Sequence, residues 1–195
     1  MKPRRRDILG AAGRMSAGFL LALAFWFGFS APYERVLAAA AEALLRATER
    51  PAVTRLLPRE GEILVERSDF PPAAARPGLP AADLHFNLVL LASLYALERR
   101  PWQAGRVAAF LEGCGILFLT HVVALVFQVR SLYATGLGAW SAAHYGALAR
   151  NFWSAGFHFY QIAGRFAAPF AIWWALRRDE EAVGRRRRDR RGQRD

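Results

Sequence analysis

Cysteine and lysine are almost absent from this 195-residue chain, with Cys114 and Lys2 the single examples of each. One cysteine excludes an intramolecular disulfide and any zinc site built from several thiolates. The chain also lacks a Walker phosphate loop, a dinucleotide glycine fingerprint, the paired histidines of a metalloprotease and a nucleophile elbow. No motif therefore proves a reaction, and neither a metal nor a cofactor is expected. Acidic residues are few: 16 Asp and Glu face 27 basic residues, for a formal charge of +11. Such a balance suits nucleic acid only if the charge forms a folded basic face. Here it lies at the two ends and in one short loop, so nucleic acid is not an expected partner.

What is abundant is apolar: 54% of residues are hydrophobic and 13% aromatic. The mean hydropathy of +0.09 is near zero because charge and apolar residues occupy different stretches. A bilayer core of ~30 Å needs roughly 20 apolar residues in a helix, and four runs come close to that, at 15–32, 82–97, 107–129 and 152–176. The expected class is an all-α membrane protein with four transmembrane helices. Residues 82–97 make the shortest of them.

Positive charge is retained on the cytoplasmic side, and the loops agree with one orientation. Lys2, Arg4, Arg5, Arg6 and Arg14 precede the first span, Arg99, Arg100 and Arg106 lie in the 98–106 loop, and nine Arg follow from Arg177 to Arg194. The segment from Tyr33 to Asp83 instead balances seven Arg with eight acidic residues, and 130–151 has Arg only at its ends. Both termini are thus expected inside, with 33–81 and 130–151 outside. A cleaved signal peptide is the rival reading of residues 1–32, and Arg5-Arg6 resembles a twin-arginine signal. No A-x-A site follows Phe29 and the apolar run is long for a signal, which favours a retained anchor.

The external segment begins with an amphipathic pattern from Glu34 to Arg50, with Arg35, Glu42, Arg46 and Glu49 on one side. It suits a helix lying at the interface or continuing the first span. AVTRLL, PREG and EILVER then predict a β-hairpin, and FPPAAARPGLPAA an extended linker. The tail with Arg185, Arg186, Arg187, Arg188, Arg190 and Arg191 has nothing apolar to fold around. Beside a membrane it is expected to attract anionic lipid headgroups.

Polar side chains inside a span are functional-site hypotheses by default. Asn151, Ser154, His158, Gln161 and Arg165 recur at 3, 4, 3 and 4 residues, which puts all five on one stripe that cannot face lipid. Cys114, His121 and Gln128 form a second line, with Glu112 off it. His121 lies fifteen residues from Arg106 and Gln161 sixteen from Arg177, so a rise of ~1.5 Å per residue sets them level and pairs them. The plain role for this network is hydrogen bonding between spans three and four, at about 0.6 kcal/mol per interaction. A pocket for a peptide, lipid headgroup or partner helix is the sharper one. His158, Tyr160 and His144 have no carboxylate support for a metal, and His85 reads as an interfacial residue. Gly113, Gly115, Gly156 and Gly164 allow close helix approach.

The stretch HFNLVLLASLYALERRPWQAGRVAAFLEGCGILFLTHVVALVFQVRSL, within a match over residues 84–132, resembles small multi-pass proteins associated with exosortase protein-sorting systems of Gram-negative bacteria. The shared plan is an N-terminal anchor, a short external segment and an apolar hairpin with an Arg-rich turn, ending near Thr120-His121. The resemblance implies an inner-membrane accessory protein whose partner is a membrane protein such as an exosortase. Exosortases look like cysteine transpeptidases using Cys, Arg and His at the outer face. Cys114 falls in the inner half of its span without the Ser-Gly-x-Arg context, and Arg150 and His158 lie far above it. A companion of such an enzyme is therefore the leading expectation. A membrane-embedded enzyme using Cys114 or His158, and a small transporter lined by the stripe, are the alternatives.

Overall fold

A computed structural model describes residues 5–59, 61–69, 76–98 and 100–177. Helix dominates, with one small sheet, in the order α1 (Arg5–Thr48), β1 (Thr54–Arg59), β2 (Glu62–Arg67), β3 (Gly78–Pro80), α2 (Ala82–His85), α3 (Asn87–Ala96), α4 (Ala104–Ser131), a π-helical turn (Leu132–Gly136), α5 (Ala139–His144), α6 (Ala147–Phe159), a second π-helical turn (Tyr160–Gly164) and α7 (165–177). The basic tail from Arg185 to Arg191 lies outside the described residues.

The first span and the amphipathic segment are one helix. α1 runs through Pro32, where one ladder bond is missing. At ~1.5 Å per residue its 44 residues reach ~66 Å, about twice the hydrocarbon thickness of a bilayer. Two helices, Leu9–Thr48 and Ala104–Gly136, are long and apolar enough to cross a membrane. Phe25 and Phe27 of α1 are 68% and 70% exposed, as side chains meeting lipid would be. The predicted second span is divided at Phe86 into α2 and α3, giving a mainly apolar helical stretch of 15 residues from Ala82 to Ala96. The 130–151 segment, expected as a loop, is largely helical because α4 widens into a π-helical turn and α5 follows.

The chain divides into two compact units, one of residues 5–24, 87–117 and 166–177 and the other of 25–86 and 118–165. In the first, Leu91, Leu117 and Ile172 form the core, joined by Cys114 and Phe110. Glu98, just beyond α3, receives Arg106 of α4 and Arg177 of α7, the latter at 3.5 Å. Gly18 lies so close to Ala96 that any Cβ would collide with it, so α1 and α3 approach at a point only glycine allows. Gly113 likewise meets Ile172 and Leu176, whereas Gly115 faces open space.

In the second unit, Leu37, Ala38, Ala41 and Leu45 of α1 are buried at helical spacing against the sheet and α4. The predicted hairpin is present, with Leu57 opposite Leu64 and Gly61 at the turn with φ +84°. The linker departs from expectation in one respect: Gly78–Pro80 pairs with β2 as a third strand. β1 is then an edge, and its unpaired donors are covered from α1. Thr54 N–H donates to Glu49 at 3.2 Å and Leu56 N–H to Glu42 at 2.8 Å, while Pro58 has no N–H. An exposed edge is a template for unwanted pairing, and this one offers no free donor at those three positions. Glu42 and Glu49, expected on the solvent side of an amphipathic helix, instead finish the sheet.

Glu42→Ala should therefore destabilise the second unit by about 1–3 kcal/mol, the cost of an orphaned buried donor. Amide hydrogen exchange at Leu56 should accelerate in that variant, and much less in Glu42→Gln, which keeps an acceptor.

Candidate functional site: a buried histidine network

The polar centre of the second unit is assembled from three helices. α1 carries Trp26, Tyr33 and Glu34 on its buried face, α2 delivers His85, and α4 delivers His121. His85 and His121 are both 0% exposed, and Glu34 is 5% exposed. Trp26 Nε1–H donates to His85 Nδ1 at 2.9 Å, and His85 Nε2 lies 3.2 Å from Glu34 Oε1. Tyr33 O–H meets His121 Nδ1 at 2.6 Å, and the Tyr33 ring packs between His85 and His121 with centroids 5.2 and 5.9 Å away. Phe118 closes the Tyr33 ring edge-on at 5.8 Å.

Indole N–H is a donor with no acceptor capacity. His85 Nδ1 must then offer a lone pair, its proton sits on Nε2, and that proton is donated to the Glu34 carboxylate. A doubly protonated ring has no lone pair for Trp26. The Glu–His pair thus resembles the orienting half of a catalytic dyad but differs from one in a decisive way. Both ring nitrogens are engaged and neither is left to take a proton from a substrate.

A second connection lies beside it. Arg165 donates to Asp83 at 3.1 Å, and the Tyr160 hydroxyl donates to the Leu84 carbonyl at 2.8 Å. α2 is therefore held on one side by α1 and on the other by the helical segment around the second π-turn. The depth argument pairing His121 with Gln161 does not describe this geometry, because His121 bonds α1. His85 is a core residue and not an interfacial one.

The remaining sequence candidates separate into three groups. Cys114 is half-buried among apolar neighbours of the first unit, and Glu112 is exposed. Gln128 is buried, and its Oε1 has no hydrogen-bond partner among the described residues. Asn151 and His158 are exposed, while Ser154 and Gln161 are half-buried. His144 lies apart, stacked on Trp140 at 4.3 Å with Nδ1 2.8 Å from the Trp140 carbonyl. Among the described residues no group of three or more His, Cys, Asp or Glu is placed to hold a metal ion.

A cluster outside the spans organises the sheet. Arg67 of β2 forks onto Asp69 with two bonds of 2.8 Å, reaches Glu49 at 3.7 Å, and lies over the rings of Tyr133 and Trp140. The Arg67 hydrogen bonds hold the Asp69 carboxyl below its usual range. Glu49 also accepts from the Thr54 hydroxyl at 2.6 Å, and Arg130 lies 3.8 Å from it.

Comparison with family models, curated proteins and solved structures returns no match for this chain. The reading of the site rests on its own geometry.

Trp26, Tyr33, Glu34 and Asp83 are the residues that composition and spacing did not single out. Glu34 had one signal, a carboxylate two residues past a span-ending Pro32. Removing one partner of a buried hydrogen bond to a carboxylate leaves the other group unsatisfied at a cost of about 1–3 kcal/mol or more, whereas replacing both with apolar groups can be nearly neutral. Thermal unfolding in detergent should show His85→Leu and Glu34→Leu each strongly destabilised. The double variant should be more stable than either. Additive losses would mean the two side chains act independently.

Proposed function

We propose that this chain is a non-enzymatic inner-membrane accessory protein of an exosortase-type sorting or surface-assembly system, crossing the bilayer four times with both ends inside. The observation that carries the non-enzymatic part is the commitment of both His85 nitrogens, to Trp26 and to Glu34. His121 is bonded to Tyr33 through Nδ1, and Cys114 packs among apolar side chains with no base beside it among the described residues. Thiolate chemistry needs a cation or base near the sulfur. The polar residues serve as links between helices.

Four crossings are supported by the apolar exposure of the helices that follow α1 and α4 in length. Phe152, Phe159, Ile162, Phe166 and Phe170 are all exposed along α6, the π-turn and α7, a surface too apolar to face water over such a distance. α2 and α3 are short but largely buried against protein, so they need less lipid-facing length. Arginine placement supplies the orientation. The exosortase association rests on the resemblance over residues 84–132, and the partner it implies is an integral membrane protein. The basic ends meet anionic lipid on the cytoplasmic side.

Single cysteines at Leu57, Trp102 and Leu148 in a Cys114→Ala background distinguish four crossings from two. An impermeant thiol reagent on intact cells should label positions 57 and 148 and spare 102. Two crossings by α1 and α4 alone would expose 57 and 102 and hide 148. For the activity, deletion of the gene should abolish output of the sorting pathway, and Cys114→Ala and His158→Gln should each restore it. Loss of output in either variant at normal protein levels would favour an enzyme.

A further inference from the structure

The stripe predicted on the fourth span is a single line of side chains, but its outer part has no hydrogen-bond partner among the described residues. Asn151, Ser154 and His158 on α6 and Gln161 on the π-turn make no side-chain hydrogen bond to any described residue, and Asn151 and His158 are exposed. Arg165 closes the same line but is held by Asp83 at 3.1 Å. Exposed apolar side chains lie about a third of a turn from the line: Phe152 is 57% exposed and Phe159 70%. Gly156, on the face opposite the line, packs against Phe127, so that side of α6 turns toward α4.

Three hydrogen-bonding side chains within the span, Ser154, His158 and Gln161, with Asn151 at its outer edge, are unstable against hydrocarbon unless something covers them. Their chemistry specifies the cover. Asn, Gln, Ser and neutral His each carry both a donor and an acceptor, and the line contains no carboxylate and no unpaired cation. Such a set matches a copy of itself. All copies of a membrane protein share one orientation, so a two-fold axis along the membrane normal sets equivalent residues side by side. Amide then meets amide, and imidazole N–H meets the lone pair of its mate. No like charges are opposed, because the Arg165 charge is already neutralised within each copy.

We propose that Asn151, Ser154, His158 and Gln161 form the interface of a parallel homodimer, with a second copy of this chain as the occupant. The proposal rests on the reading that α6 crosses the membrane. It leaves the external segment and the other helices free for a different partner.

Single cysteines at positions 151, 154, 158, 161, 152 and 159, each in the full-length Cys114→Ala protein, are oxidised in native membranes and run on non-reducing gels. The expected result is a band at twice the monomer mass for 151, 154, 158 and 161, several-fold stronger than for 152 and 159. Equal bands at all six positions, or none, would overturn the proposal. So would a product of a different mass at the four line positions, because the line would then face another protein. As a second measurement, energy transfer between differently labelled copies in lipid vesicles should be lost in the Asn151→Leu/Ser154→Ala/His158→Leu/Gln161→Leu variant. It should be kept in His158→Gln, which retains donor and acceptor. Unchanged transfer in the quadruple variant overturns the dimer. Ready labelling of a cysteine at 158 by an impermeant reagent in intact cells would instead sink the span reading itself, whatever the cross-linking pattern.

Discussion

A carboxylate buried just beyond the proline of α1 has to be given donors, and the second unit is arranged around that requirement. Glu34 finds its donor in His85 Nε2–H. That choice fixes the tautomer, leaves Nδ1 as an acceptor, and thereby requires a donor such as the Trp26 indole. α2 is too short to hold its position by helix–helix packing alone, so these bonds to α1 and the Tyr160 and Arg165 contacts set where it lies. Tyr33, next to Glu34, extends the same face to His121 and brings in α4. Three helices are joined through two adjacent residues just beyond Pro32.

The same helix also governs the sheet. Three strands, one of them only Gly78–Pro80, bury too little to stand in isolation. Beyond Glu34, α1 supplies an apolar face through Leu37, Ala41 and Leu45 and two carboxylates, Glu42 and Glu49, that take the outward N–H groups of β1. Continuity of α1 through Pro32 is thus a condition for both the buried network and the outer layer. Arg67 adds a bridge from β2 to the aromatic rings that follow α4, so the sheet is held from two directions.

Much of this was legible in the sequence, for reasons that differ by element. The two longest helices follow from apolar runs, and the hairpin from alternation around Pro-Arg-Glu-Gly. The stripe from Asn151 to Arg165 followed from spacing, since side chains at 3 and 4 residues share a face whatever surrounds them. Partners were not legible. Matching depths on α4 and α6 compared two helices and overlooked the one that reaches His121 first, because Tyr33 had been placed outside the membrane. His85 was read as interfacial from its position at the start of a span, yet it is enclosed by Trp26 and Tyr33. β3 is three residues long, below the length at which alternation carries a signal. Asp83 was counted as a loop charge and is the counter-ion of Arg165.

The central claim is that the polar residues of the helices hold the protein together and that His85 is locked between Trp26 and Glu34. Nitrogen-15 magic-angle NMR of histidine-labelled protein in lipid bilayers reads the protonation of each ring nitrogen directly. The account predicts a His85 ring protonated at Nε2 and bare at Nδ1 at neutral pH, with a through-space correlation from Nδ1 to the Trp26 indole proton. A ring protonated at Nδ1, or at both nitrogens, would contradict it, since the Trp26 bond could not then exist.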